Sequence, residues 1–185
     1  MPWNEDPIEL KPEQFEREVK AILEGARADL KAFEANHREK LEGVEGAYEI
    51  DVTVRFEALG ANFLILVECK HQRSPIKRET VQILYDRVRT TGAHKGMLFA
   101  TTTFQRGAIE YASAHGIALV RMVEGKTSYE TKAFGISSAP PPWANIPPYV
   151  GYFTSLNNEG NIQHTLVSVR YSDALNEVLD FRRQK

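Results

Sequence analysis

The order of apolar and polar residues divides the chain into segments of different period. From Lys11 to Leu41, Phe15, Val19, Ile22, Leu23, Ala26, Leu30 and Phe33 recur at three- and four-residue steps, which predicts helix over that whole segment. Pro12 suits the first turn, and Gly43 and Gly46 end the segment. From Tyr48 onward the period drops to two. Ile50, Val52, Val54 and Phe56 alternate with Asp51, Thr53 and Arg55, as a strand requires. A second strand, about Asn62 to Lys70, carries the unbroken apolar run Phe63–Val67 and reads as buried on both faces. Ser74-Pro75 predicts a helix cap followed by proline at the first helical position. Val81, Leu84, Tyr85 and Val88 supply that helix's apolar face. "GMLFATT" is a third core strand and Thr103 a cap for the helix "FQRGAIEYASAH". Gly116 stops that helix, and "IALVRMV" is a fourth strand. Strand, helix of about twelve residues and strand make a parallel crossover unit.

Beyond it "SSAPPPWANIPPY" predicts an extended proline-rich crossing. "GYFTSL" and "IQHTLVSVRY" flank "NNEGN" as a hairpin, and "SDALNEVLDFRRQK" reads as a short C-terminal helix. The organisation expected is therefore a main domain over 1–136, a Pro-rich linker over 137–150 and a small hairpin-plus-helix extension over 151–185.

Composition narrows the class. The 185 residues are 42% hydrophobic, enough for a packed core in one domain. The single cysteine excludes an internal disulfide and, alone, a cysteine-rich zinc site. No apolar run approaches the ~20 residues of a membrane helix, and the acidic "MPWNEDPIEL" lacks the apolar core of a signal peptide. A soluble, cytoplasmic protein is expected. The net charge of −2 hides an asymmetry. Residues 1–50 hold 7 Lys+Arg against 13 Asp+Glu, whereas residues 70–95 hold 7 against 2. The basic block starts at Lys70 and is either a phosphate-facing surface or a solvated helix face.

The apolar run of the second strand ends in Glu68-Cys69-Lys70. An acid and a lysine two apart carry little information alone, since roughly one such triplet arises by chance in a chain this size. Six are present: Glu9/Lys11, Glu18/Lys20, Asp29/Lys31, Glu68/Lys70, Glu124/Lys126 and Glu130/Lys132. Only Glu68/Lys70 falls on an interior strand, where residues two apart share a face. On a helix the same spacing splays the side chains by roughly 200°. A reversal between Leu59 and Gly60 pairs Val52 with Val67, Val54 with Ile65 and Phe56 with Phe63, which gives one wholly apolar face. That register sets Asp51 across from Glu68. Two carboxylates so close repel, and a divalent cation relieves the repulsion. Mg²⁺ takes such oxygen ligands, with the Cys69 carbonyl as a further donor. Lys70 is then placed to assist an attacking water or to stabilise charge on a phosphate. The competing reading is a rim salt bridge of Lys70 with Glu49 or Glu68.

The string "EIDVTVRFEALGANFLILVECK" resembles the catalytic core of the PD-(D/E)xK nuclease superfamily, and Phe15 to Val123 resembles its Mrr-type restriction endonuclease branch. "FEREV", "GAYEIDV", "VECK" and "GAHKGMLFATTTFQRGAIEYASAHGIALV" match that branch in order. The resemblance implies an α/β, restriction-endonuclease-like fold, a mixed central β-sheet flanked by α-helices. It implies an endonuclease that cuts DNA with Mg²⁺, with Mn²⁺ as a substitute. Asp51 and Glu68 would hold the metal and Lys70 would assist hydrolysis. Glu16 matches an acid that many members place on the first helix, and Gln82 a glutamine on the helix after the lysine. His71, Arg73, Lys77 and Arg78 lie where a backbone phosphate would approach, and Arg87 and Arg89 continue the block. His71 is also read as a plain surface residue, and Cys69 as a core residue. Two departures stand out: Ile50 replaces the usual proline before the first acid, and the chain carries no evident DNA-reading domain. Selectivity for modified DNA therefore does not transfer. The tail would dimerise, contact a partner or cover a sheet edge, and a homodimer fits two-strand cutting. The alternative function is a non-cleaving nucleic-acid-binding or assembly subunit with the same fold.

Overall fold

The computed structural model describes residues 8–25, 30–125 and 147–167. Ten elements follow in order: α1 Pro12–Gly25, β1 Lys31–Gly43, β2 Gly46–Ala58, β3 Ala61–Lys70, α2 Arg78–Thr90, β4 Lys95–Ala100, α3 Arg106–His115, β5 Ala118–Glu124, β6 Tyr149–Leu156 and β7 Ile162–Val167. The strands form one mixed sheet in chain order, β1 to β7. The β1–β2–β3 meander is antiparallel, β3–β4–β5 is parallel, and β5–β6–β7 is antiparallel again. This is the α/β, restriction-endonuclease-like architecture expected.

The parallel centre explains the unbroken apolar run. Ile65 and Val67 pack on one face with Phe15, Val19 and Ile22 of α1. Leu66, between them, packs on the other face with Val81 and Leu84 of α2 and Ile109 of α3. Both faces of β3 are covered, so both sets of side chains are apolar. The β2–β3 register is the one read from the sequence: Val52 pairs with Val67, Val54 with Ile65 and Phe56 with Phe63. Leu59 and Gly60 make the turn with φ of 54° and 78°. Positive φ at both central residues is what a type I′ hairpin turn requires.

Three expectations need correction. The helix expected over Lys11–Leu41 stops at Gly25, and Lys31–Gly43 is strand β1. Leu30 and Phe33 do pack against the α1-side core, but from strand backbone. β1 is half-buried at every second residue from Phe33 to Gly43, yet those positions include His37 and Glu39. Polar residues on the inward row hide the period of two. Neither expected helix cap is used. α2 starts at Arg78 after Lys77, and α3 starts at Arg106 after Gln105. The cause is a short zip between the two preceding loops. Ile76 N–H donates to the Thr103 carbonyl, 2.9 Å, and Gln105 N–H to the Ile76 carbonyl, 2.9 Å. Those residues are held extended and cannot enter a helix.

The hairpin expected in the tail is present as β6–β7, and β6 pairs with β5 from Leu119–Thr154 to Glu124–Tyr149. It extends the main sheet. The C-terminal helix and residues 137–146 of the Pro-rich segment lie outside the described residues. No helix among the described residues is long and apolar enough to cross a membrane.

Candidate active site

A change of face on β2 builds the site. Ile50 packs on the α2–α3 side of the sheet, whereas Val52, Val54 and Phe56 pack on the α1 side. Even-numbered residues of one regular strand would share a face, so β2 rotates at Asp51. The neighbouring strand deforms at the same level, where Arg38 takes a φ of 53° between the His37–Val52 and Glu39–Ile50 pairs. The β2–β3 ladder ends at Val52–Val67, one step short of the expected pairing of Asp51 with Glu68, because β2 rotates away at Asp51. In place of a further backbone partner, the Cys69 N–H donates to Asp51 Oδ2 at 2.7 Å.

Asp51 is thereby fixed in a half-buried position at the point where β2 leaves β3. Burial raises its pKa, and the Cys69 amide opposes this. Glu68 and then Glu16 raise it further, while Lys70 lowers it. The same four charged side chains, Asp51, Glu16, Glu68 and Lys70, act on Cys69. Burial first, then the three acids, push its thiol well above the ordinary range, so Cys69 is an inert residue packed against the α1-side core.

Glu68 and Lys70 share a face of β3 and form an ion pair, Nζ to Oε1 at 2.6 Å. Glu68, only 7% exposed, also binds Arg87 of α2, Nη1 to Oε2 at 2.6 Å. Glu16 is buried on α1, where its Oε2 meets His37 Nε2 at 2.7 Å and Arg38 Nε at 2.9 Å. The first-helix acid is thus joined to β1 at the residue whose backbone is kinked. Gln82 is half-buried and makes no side-chain hydrogen bond among the described residues. Five residues separate it from Arg87, about 140° around the helix at ~100° per residue. The α2 side chain that reaches Glu68 is therefore Arg87.

His71 turns toward α1, with Nε2 3.2 Å from the Ile8 carbonyl and its ring at the edge of Phe15, 5.9 Å between centroids. Arg73, Lys77 and Arg78 are exposed and hold no carboxylate among the described residues. The loop that carries Arg73 is pinned to the end of β4. Thr101 Oγ1 accepts from Gln72 N–H at 3.2 Å and lies 3.1 Å from the Gln72 carbonyl, and Thr102 Oγ1 donates to the Arg73 carbonyl at 3.2 Å. The "TTT" run therefore holds the loop after Lys70 as well as ending a strand.

The carboxylates of Asp51 and Glu68 offer hard oxygens, of the type Mg²⁺ accepts. Among the described residues no group of three or more His, Cys, Asp or Glu side chains is gathered closely enough to hold a metal ion. The ion pairs explain the spacing: the Glu68 oxygens point at Lys70 and Arg87, and those of Glu16 at His37 and Arg38. Arg87, Arg38 and His37 are the site residues that sequence patterning does not assign to these carboxylates. The one signal for Arg87 is its place in the basic block beginning at Lys70.

The restriction endonuclease family, as defined by the Mrr catalytic domain, matches residues 8–126. No curated protein matches the chain. A crystal structure of AF1548, a protein of unknown function, is similar at 22% identity with a TM-score of 0.48. That similarity covers 59% of this chain and 57% of the other, so the chain spans little more than half of that protein's length. With its fold and with the family match running from Ile8 through β5, the chain belongs to the restriction endonuclease family, in its Mrr catalytic-domain branch.

Proposed function

We propose that the protein is a metal-dependent endonuclease that hydrolyses DNA phosphodiester bonds. The observation that carries this reading is the position of Asp51, held by the amide of Cys69, whose neighbours on β3 are Glu68 and Lys70. A carboxylate whose charge is disfavoured by burial and by Glu68 and Glu16 is one that a divalent cation would stabilise. Asp51 and Glu68 would hold Mg²⁺, with the Cys69 carbonyl as a further donor and Mn²⁺ as a substitute. When bound, the ion supplies Lewis-acid polarisation of the scissile phosphate. Lys70, on the same strand face as Glu68, would take or hold a proton of the attacking water and stabilise charge developing on the phosphate. Arg73 and Lys77, exposed on the segment that follows Lys70, would hold backbone phosphates without reading sequence. Cutting both strands needs two such sites, which fits a pair of chains.

The test is incubation of supercoiled plasmid with wild type, Asp51→Ala and Lys70→Ala in Mg²⁺ or Mn²⁺. Nicked or linear product is expected from wild type alone. Plasmid, linear and branched DNA left equally intact by all three proteins refutes the catalytic reading. One observation favours the second reading, a non-cleaving subunit: Glu68 and Glu16 already have cationic partners. That reading gains if wild type binds DNA, does not cut it, and takes up no Mn²⁺.

A further inference from the structure

We propose that the outer groove between α2 and α3 is a second nucleic-acid site, which holds a single strand by stacking and phosphate pairing. On α2, Arg78, Gln82, Tyr85 and Arg89 fall within about 60° of one another at ~100° per residue. This stripe lies on the flank of the helix away from Arg87 and Glu68. α3 contributes Tyr111 and His115, one turn apart on a shared face. Between the helices the rings form a continuous cluster. Tyr111 and His115 lie 4.1 Å apart, Tyr85 and His115 4.5 Å, and Tyr85 meets Tyr111 edge-on at 6.1 Å. Arg78 sits over the Tyr111 ring at 5.0 Å and Arg89 over the Tyr85 ring at 5.9 Å.

The charges on this stripe carry the inference. Arg17, Arg38, Arg55, Arg87 and Arg106 each hold a carboxylate. Arg73, Lys77, Arg78 and Arg89 hold none among the described residues and are exposed. Glu79 and Asp86, the acids of α2, lie about 80–100° around the helix from Arg78 and pair with neither arginine. Tyr85 and Tyr111 are half-buried against the α2–α3 core, and the arginines over their outer faces are exposed with no carboxylate among the described residues. Aromatic rings interleaved with unneutralised arginines are what a sequence-tolerant single-strand surface requires, because every base has a π-face and every nucleotide a phosphate. A duplex keeps its base faces inside its own stack, so it cannot use the rings.

The placement is directional. The loops before α2 and α3 are zipped together at the C-terminal ends of β3 and β4, where Thr101 N–H also donates to the Lys70 carbonyl at 3.1 Å. Arg78 is therefore the end of the stripe nearest Lys70, and Arg89 is about 16 Å further along the helix. A strand lying in this groove has one end aimed at the candidate active site. The inference rests on reading the basic block as nucleic-acid-facing and is independent of cleavage.

The test is fluorescence anisotropy in EDTA, where cutting is absent, with labelled single-stranded DNA, single-stranded RNA and duplex DNA over a range of salt. Wild type should bind a single strand through this surface, whatever duplex it also binds at the candidate active site. The double variant Arg78→Gln/Arg89→Gln, at exposed positions, should fold normally and bind a single strand about tenfold more weakly. Its log–log salt slope should become shallower by about 1.4, at ~0.7 for each phosphate no longer neutralised. Tyr111→Leu should cost about tenfold, as removal of one base–aromatic stack does. Unchanged single-strand affinity in the folded double variant, or a loss of duplex affinity in it as large as the loss of single-strand affinity, overturns the proposal. Single-strand binding by a Lys70→Ala variant that cuts nothing would support the groove while the catalytic reading is judged separately.

Discussion

Replacing Arg87 by methionine isolates the contact that holds Glu68. Methionine keeps most of the apolar stem and removes the guanidinium. The carboxylate it leaves is 7% exposed, and Lys70 remains on Oε1 at 2.6 Å. Removing one partner of a buried ion pair costs about 3–5 kcal/mol. The surviving lysine and a partly exposed arginine reduce this, so a destabilisation of about 2 kcal/mol is expected. For a chain of this size that is about 4–8 °C in melting temperature. Thermal or urea unfolding in EDTA measures it, and the same experiment with Mn²⁺ tests the site. In wild type an ion on Glu68 must displace Arg87; in the variant it meets a carboxylate already short of a partner. The variant should therefore bind Mn²⁺ more tightly and recover more stability from it, up to about 2.7 kcal/mol at a hundredfold excess over Kd. A variant as stable as wild type in EDTA would show that Arg87 does not support Glu68. Equal or weaker Mn²⁺ binding would show that the arginine does not stand where the cation is to go.

Three further outcomes follow from the same structure. Asp51→Asn should raise the melting temperature at neutral pH while abolishing cleavage, because it removes a buried charge beside Glu68 and Glu16 and keeps an oxygen for the Cys69 amide; a lower melting temperature refutes this. Burial lowers the pKa of Lys95, which has no side-chain partner among the described residues. Its folded form then binds fewer protons than the unfolded chain between the two pKa values, and stability rises with pH through that window. Lys95→Met should stabilise at neutral pH, with the gain shrinking as pH approaches 10.5 in urea titrations; a pH-independent gain contradicts the assignment. Leu59 is 98% exposed at a φ of 54°. Leu59→Asn should stabilise by about 1 kcal/mol by relieving left-handed strain, with no change in DNA affinity, and a destabilised variant would refute it.

Where side-chain pattern determines geometry, the sequence was sufficient. The β2–β3 register follows from the apolar row Val52, Val54, Phe56 set against Val67, Ile65, Phe63, because any odd shift would turn that row to solvent. β1 escaped because its inward row carries His37 and Glu39, which bond to Glu16 and to Thr53 and Arg55. Polar residues satisfied by partners elsewhere in the chain have no local signature. The helix starts moved for a related reason: the Ile76–Phe104 bridge joins loops 28 residues apart, which no capping rule anticipates. Strand alternation puts Glu68 and Lys70 on one face of β3, as their ion pair shows, but it does not give the face of Asp51, where β2 rotates. Arg87 as the partner of Glu68 and Arg38 as the partner of Glu16 were not legible, because the rotation of a helix over a sheet and a kink in an adjoining strand are set by tertiary packing.

The arrangement of the strands in chain order has a consequence for assembly. Each pairing from β1 to β5 joins consecutive strands: the β1–β2 and β2–β3 closures cost only a short turn, and β3–β4 and β4–β5 each close over a single helix. A chain emerging N-terminus first can lay down this sheet one strand at a time. The β2–β3 hairpin that carries Asp51, Glu68 and Lys70 would be paired before β4 exists, and the arginine that holds Glu68 would arrive with the next helix.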